Sequence, residues 1–235
     1  MADLPLAVTE QLWNEQQLLQ PVREPAWRSW RYREPMVVLG CAQRRLLAEA
    51  GSFGGPEVLL RASGGGAVLT GPWMLGLSVA LPADHPLVAE GPVGSYRWLG
   101  EQIAQLLQGA GIAAQAIAPQ QLRQPRPAQA PQPVDWACFG GLSPWEVLAR
   151  GRKIAGLAQV RRRNGVLLVG GLLLSPSPWP LLCRTLGRVE EDAARLAELT
   201  TCCADEAGAA FDAGGFERAL GRSLQARLGR AACPA

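Results

Sequence analysis

The chain has 235 residues, 48% of them hydrophobic, and a formal charge of +3, so it can bury one sizeable core. So small a charge does not by itself imply a nucleic-acid partner, and no apolar run reaches the roughly 18 residues of a membrane span. The six cysteines (41, 138, 183, 202, 203 and 233) form no C-x-x-C pair and no charged-then-apolar leader opens the chain, which together predict a reduced, cytoplasmic protein.

In chain order, Thr9 reads as an N-cap, with Leu12, Trp13, Gln16 and Leu19 at helical spacing through Gln20. Trp27 to Tyr32 and Met36 to Leu39 have the aromatic and β-branched content of strands. Gln43 to Ala50 reads as a short helix closed by Gly51. A strand then runs from Val58 into Arg61-Ala62-Ser63-Gly64-Gly65-Gly66-Ala67 and leaves as a second strand at Val68. Three consecutive glycines carry an entropic cost, so the backbone must gain close approach to something. Strands on both sides rule against a P-loop or a dinucleotide-binding turn. Either the loop turns N–H groups toward a carbonyl or phosphate, with Arg61 and Ser63 alongside, or it is a tight bulged hairpin.

Trp73 to Leu81 reads as a strand. Asp84-His85-Pro86 is a turn, and its lone histidine leaves little material for a histidine triad or a metal site, so no metal is expected. Tyr96 to Gln108 reads as an amphipathic helix closed by Gly109 and Gly111. Residues 119–133 hold five prolines and five glutamines, a composition for a surface loop and not a core. Beyond it lie Cys138 between Ala137 and Phe139, the run Trp145 to Leu148, a turn at Ala149 to Arg152 and a strand through Gln159. Asn164-Gly165 signals a two-residue hairpin between Ala158–Arg163 and Val166–Leu174. Val189 to Ala204 and Phe216 to Ala232 read as two closing helices, a helical tail from about residue 188. We expect a single domain over 1–235 of α+β (mixed α/β) class, helices packed on hairpin-linked strands.

The basic residues are unevenly chosen. Of 23 Lys and Arg, only Lys153 is lysine. A position that keeps lysine in so arginine-rich a chain points to a compact ammonium aimed at one oxygen, although a solvated hairpin charge would also fit. Arg150, Arg152, Lys153, Arg161, Arg162 and Arg163 fall within fourteen residues. Such a run could face a phosphate-bearing ligand or an acidic protein, or could simply solvate a hairpin.

Arg61-x-Ser63-Gly64-Gly65-Gly66-Ala67-Val68, then Cys138-Phe139, then Gly151-Arg152-Lys153-Ile154-x-Gly156-x-Ala158-Gln159 resembles the lipoate–protein ligase and octanoyltransferase family. That likeness implies a biotin/lipoate protein ligase-like catalytic domain. It also implies that Arg61, Ser63, Gly64, Gly65, Gly66, Ala67 and Lys153 hold an acyl chain and its activated carboxyl, with Gly156 and Ala158 in the same binding segment. The setting Ala137-Cys138-Phe139 resembles the cysteine-dependent octanoyl and lipoyl transferases, and not the polar segment of the ATP-dependent ligases. In this chain the expected catalytic pair is then Cys138, attacking an acyl thioester, and Lys153, favouring the thiolate by its charge and donating to the oxyanion. The implied donor is an acyl carrier protein, and the acceptor is a lysine on a lipoyl-domain or glycine-cleavage carrier protein, with lipoate or octanoate as the acyl group. Leu59 and Val79 are expected to line the acyl groove. No cofactor is needed for transfer, whereas a ligase would use ATP and Mg. The family's histidines are replaced by Thr70 and by Gly170-Gly171, and Leu157 stands where a small serine is common. A degenerate, non-catalytic binder of acylated carrier proteins therefore stays open.

Overall fold

The computed structural model describes residues 4–50, 54–124, 131–207 and 211–228. Its first half runs α1 (Leu6–Gln17), β1 (Ala26–Arg31), β2 (Met36–Leu39), α2 (Arg44–Ala50), β3 (Val58–Leu60), β4 (Val68–Thr70), β5 (Met74–Leu81) and α3 (Gly91–Gly109). There follow β6 (Ala114–Ala116), α4 (Pro119–Leu122), β7 (Val147–Ala149), β8 (Arg152–Arg162) and β9 (Gly165–Leu173). Four helices come last: α5 (Trp179–Thr185), α6 (Glu190–Leu199), α7 (Cys203–Ala207) and α8 (Ala213–Leu228).

Six strands form one sheet in the order β1-β5-β9-β8-β7-β6, antiparallel at each step. The second sheet has the order β3-β2-β4, with β2 parallel to β3 and antiparallel to β4. Every residue of β5 is buried because both faces of the large sheet are covered. On one face Leu77, Val79 and Leu157 pack with Leu99, Ile103 and Leu107 of α3 and with Phe216, Leu220 and Leu224 of α8. On the other, Trp30 and Met74 pack with Val37 and Leu69 of the small sheet, with Phe139, and with Leu182 and Leu196 of α5 and α6.

The second face is furrowed by design of the sequence. Trp30, Gly76, Gly171 and Gly156 lie opposite one another across β1, β5, β9 and β8, and residues in register point to the same face. A Cβ at Gly76 would lie 2.0 Å from the Tyr32 hydroxyl, at Gly171 3.1 Å from Met74 Sδ, and at Gly156 3.2 Å from Lys153 Cε. The row thus makes room for the Tyr32 hydroxyl at Gly76, and Gly171 and Gly156 form the floor of a trough.

Several boundaries differ from the sequence reading. Helix α1 begins after Pro5, so Thr9 lies inside it, its hydroxyl donating back to the Pro5 carbonyl at 3.2 Å. The hairpin turn is Arg163-Asn164, since Gly165 already pairs with Arg162. Asn164 is held there by donating to the Leu18 and Leu19 carbonyls at the end of α1. The long C-terminal helix breaks at Thr200, which pairs with Lys153 in an extended bridge. β6, α5 and the short α4 inside the Pro/Gln-rich stretch were not anticipated. The closure at Gly51, residues 125–130 of that stretch and the end of the last helix lie outside the described residues.

If Gly76 exists to admit the Tyr32 hydroxyl, Gly76→Ala should cost about 2 kcal/mol in urea denaturation. Adding Tyr32→Phe should recover only part of that loss, because a Cβ at Gly76 would also lie 2.8 Å from the ring carbon Cζ. An equal cost in both backgrounds would show that the hydroxyl is not the obstacle.

Candidate active site

Lys153 is the second residue of β8 and is almost wholly buried, at 1% exposure. A lone ammonium at that depth would be untenable. It has three donors, and three acceptors meet it: Glu146 Oε1 at 2.7 Å, the Cys138 carbonyl at 2.7 Å and the Gly141 carbonyl at 3.0 Å. Its charge also sits 5.2 Å from the centre of the Phe139 ring. Glu146 is equally well held. Oε1 also accepts from the Leu157 N–H at 3.3 Å, and Oε2 from the Ser143 N–H at 2.7 Å. Backbone bonds place it, from Trp145 N–H to the Ile117 carbonyl at 2.7 Å and from Ile117 N–H to its own carbonyl at 2.9 Å. The preceding Trp145 is left at φ 67°, a strained value for so bulky a residue. Gly156 packs against the stem of this lysine, since its Cβ would lie 3.2 Å from Lys153 Cε. Sequence reasoning missed Glu146. The available signal was the hairpin: a turn at Arg150-Gly151 sets Leu148 opposite Lys153 and carries residue 146 alongside.

The glycine loop and the cysteine turn are stitched together. The Cys138 N–H donates to the Ala67 carbonyl at 2.8 Å, and the Ala67 N–H to the Trp136 carbonyl at 2.8 Å. A Cβ at Gly66 would lie 2.6 Å from the Cys138 nitrogen, so only glycine lets these backbones meet. Gly65 is at φ 93°, the left-handed region that favours glycine. Gly64 faces open space. Arg61, also buried, points its guanidinium at the loop itself. It donates to the carbonyls of Val38 (3.2 Å), Gly64 (2.8 Å) and Gly66 (2.9 Å). Ser63 is buried and its carbonyl accepts from the Cys41 N–H at 3.0 Å.

Cys138 heads a short 3-10 turn, Cys138–Gly140, and is half-buried between two concavities. The first is the apolar trough, whose walls include Arg61, Val68, Met74, Phe139, Gly156, Ala158 and Gly171. The second is a polar cleft lined by Gln43, Gly65, Gly66, Asp135, Ser143, Glu146 and Ala158. Cys138 lines both. Ser63, Gly64 and Ala67 line neither and support the loop from behind. Leu59 and Val79 do not reach the trough: Leu59 packs in the small-sheet core and Val79 in the core under α3 and α8. Three other thiols, Cys183, Cys202 and Cys203, are buried and less suited to chemistry. Burial pushes Cys183 and Cys202 up to about 11 and Cys203 higher still.

Glu10 of α1 also lines the trough, and so does Tyr32. The Tyr32 hydroxyl donates to Glu10 Oε2 at 2.7 Å. Burial raises the Glu10 carboxyl from its ordinary 4.5 to about 7, against hydrogen bonds from Tyr32 and the field of Arg61. The basic run around Lys153 is dispersed. Arg150 and Arg152 pair with Glu206 at 3.2 Å each, while Arg161 donates to Ser95 and to the Val88 carbonyl. Their ends of β8 lie nine residues apart, about 30 Å.

A family model described as the lipoyl protein ligase A/B catalytic domain matches residues 2–193. The chain belongs to that family. It is 30% identical over 212 residues to an octanoyltransferase LipM of Kyrpidia tusciae, covering 87% of this chain and 76% of the relative. A second LipM, of Macrococcus caseolyticus, is 30% identical over 128 residues, and there the match spans only 43% of the relative. A structure of a putative lipoate protein ligase from T. acidophilum with bound lipoic acid superposes with a TM-score of 0.65 at 18% identity, covering 100% of this chain and 87% of that one. A lipoate–protein ligase A bound with ATP gives 0.60 at 19% identity, covering 94% and 82%. The family members share this α+β catalytic fold. Among the described residues, no helix is long and apolar enough to cross a membrane.

Removing one partner of the buried pair should be worse than removing both. Lys153→Met is expected to cost about 3 kcal/mol or more in urea denaturation, because Glu146 is left buried and uncompensated. Adding Glu146→Leu should restore a good part of it, and simple additivity would show that the pair is not coupled. Glu10 should set a pH dependence. A carboxyl whose folded value is raised binds its proton more tightly when folded, so its contribution is complete below about pH 4.5 and is lost as pH rises through 7. Glu10→Gln should flatten that fall, worth up to roughly 3 kcal/mol between pH 4.5 and 8.

Proposed function

We propose that the protein is a cysteine-dependent acyltransferase, moving an octanoyl or lipoyl group from the thioester of an acyl carrier protein to a lysine of a lipoyl-domain or glycine-cleavage carrier protein. The observation that carries this reading is the place of Cys138, the nucleophile shared by the apolar trough and the polar cleft. The trough offers the acyl tail an apolar wall of Val68, Met74, Phe139 and Gly171 beside the Cys138 sulfur. Kinship with octanoyltransferases LipM, one of them matched over 76% of its length, supports the same conclusion.

The chemistry follows from this placement. The Cys138 thiolate attacks the thioester carbonyl from the cleft side, the donor's thiolate leaves, and the acyl tail lies in the trough. An acyl thioester on Cys138 results. The acceptor amine then enters by the polar cleft, forms the amide and releases the Cys138 sulfur, which takes up the proton lost by the amine. Amide formation from a thioester is downhill, so no nucleotide is required. Lys153 fixes the turn from Cys138 to Gly141 through its carbonyls; with its three N–H groups taken and the side chain buried, it positions the cysteine and does not make the oxyanion contact expected from the sequence. An ATP-dependent ligase would need that ammonium for an acyl-adenylate, whereas here its N–H groups are taken by Glu146 and two carbonyls.

Incubating the protein with octanoyl carrier protein should add one octanoyl mass, released by hydroxylamine. Cys138→Ser should lose the adduct and at least about 100-fold in turnover, while ATP should change neither. Pyrophosphate exchange driven by octanoate and ATP would replace the transferase with the ligase. Carrier binding with neither signal would indicate a non-catalytic binder.

A further inference from the structure

An apolar furrow meant only for a methyl-ended chain has no use for a carboxyl, yet this one has Glu10 in its wall. The glycine row fixes where it stands. Lys153 and Glu146 stand over Gly156, and Lys153 is bonded to Cys138. The Tyr32 hydroxyl stands over Gly76, two strands away, and donates to Glu10. Cys138 and the Glu10–Tyr32 pair therefore line one trough, the cysteine turn by the β8 side and the Tyr32 hydroxyl over β5. The pair is built, not incidental. A glycine in the middle of a buried strand costs about 1 kcal/mol, and Gly76 provides the space that the Tyr32 hydroxyl fills. Arg61 does not neutralise the carboxyl by direct pairing, because its guanidinium is turned to the carbonyls of Val38, Gly64 and Gly66.

We propose that Glu10 and Tyr32 form a hydrogen-bonding terminus to the trough, which selects an acyl chain carrying a hydroxyl at its far end over one ending in a methyl. A hydroxyl suits this terminus better than any charged group. It accepts from the carboxyl when that is protonated and donates when it is ionised, and Glu10 passes between these states near neutral pH. A methyl in the same place meets the buried carboxyl without offering it a hydrogen bond, which a chain-end hydroxyl adds to the one that Tyr32 already makes. The inference rests on reading this trough as the acyl site.

The test is binding, kept apart from the reaction. Calorimetry on the full chain compares N-(2-acetamidoethyl)octanamide with its 8-hydroxy counterpart, amides that cannot acylate Cys138. The hydroxylated ligand should bind about tenfold more tightly. Glu10→Leu should abolish or invert that preference. Tyr32→Phe, which leaves Glu10 in place, should shrink it severalfold and serves as the deciding variant if Glu10→Leu does not fold. Equal or tighter binding of the plain octanamide would overturn the proposal, as would binding of neither amide or a preference that survives the variants. The thioester adduct on Cys138 is measured separately, so the transferase reading and the terminus can each fail without the other.

Discussion

The ion pair between Lys153 and Glu146 is the contact on which the site depends. Each charge is buried to within 3% of complete, and neither would be tolerable without the other. The pair ties the β7–β8 hairpin to the cysteine turn. Glu146 stands in the approach to β7, Lys153 is the second residue of β8, and the ammonium reaches the carbonyls of the turn. The turn from Cys138 to Gly141 is therefore held from below by a cation and from beside by the glycine loop. Arginine could keep the charge but not the shape, since a planar fork cannot point three donors at three converging acceptors. That gives a physical reason for the one lysine in the chain.

The glycines divide into those that shape backbone and those that make space. Gly65 takes a left-handed conformation, and Gly66 lets two backbones touch. Gly76, Gly156 and Gly171 instead remove side chains from one row of a sheet that would otherwise close on itself. Carving a cavity by omission is costly in a packed interior, because each missing group forgoes its dispersion contacts. Here the gaps at the two ends are taken by the Tyr32 hydroxyl and by the Lys153 stem, and only the middle, under Met74, is left for a ligand.

Most strands, the central helix and the glycine loop were legible in the sequence because local pattern sets them, whereas Cys138 was singled out by family resemblance. Alternation, triple glycine and a lone lysine are features of short windows. Glu146 and Glu10 were not legible. Each looks like a surface carboxylate until tertiary packing buries it: Glu146 meets Lys153 across the seven residues of a hairpin, and Glu10 meets Tyr32 across 22 residues. The break at Thr200 had the same origin. Its helix-compatible neighbours suggest continuity, but the Thr201 N–H finds the Lys153 carbonyl at 3.0 Å, and the sheet takes the segment out of the helix. Local propensity lost to tertiary pairing at that point.

The replaced histidines test whether the site has decayed or been re-cut. Decay would leave holes or orphaned polar groups at the altered positions. Thr70 lines the trough with its hydroxyl satisfied, donating to the Met36 carbonyl at 3.1 Å. At Gly170 the space a side chain would occupy is filled by Leu157, whose Cδ2 lies 3.2 Å from the position of a Cβ. These two departures are thus one change: a large residue at 157 needs a small one at 170, and the sequence has both. Compensated substitutions of this kind keep a core at native density. The altered positions are therefore packed and hydrogen-bonded, without the holes that decay would leave.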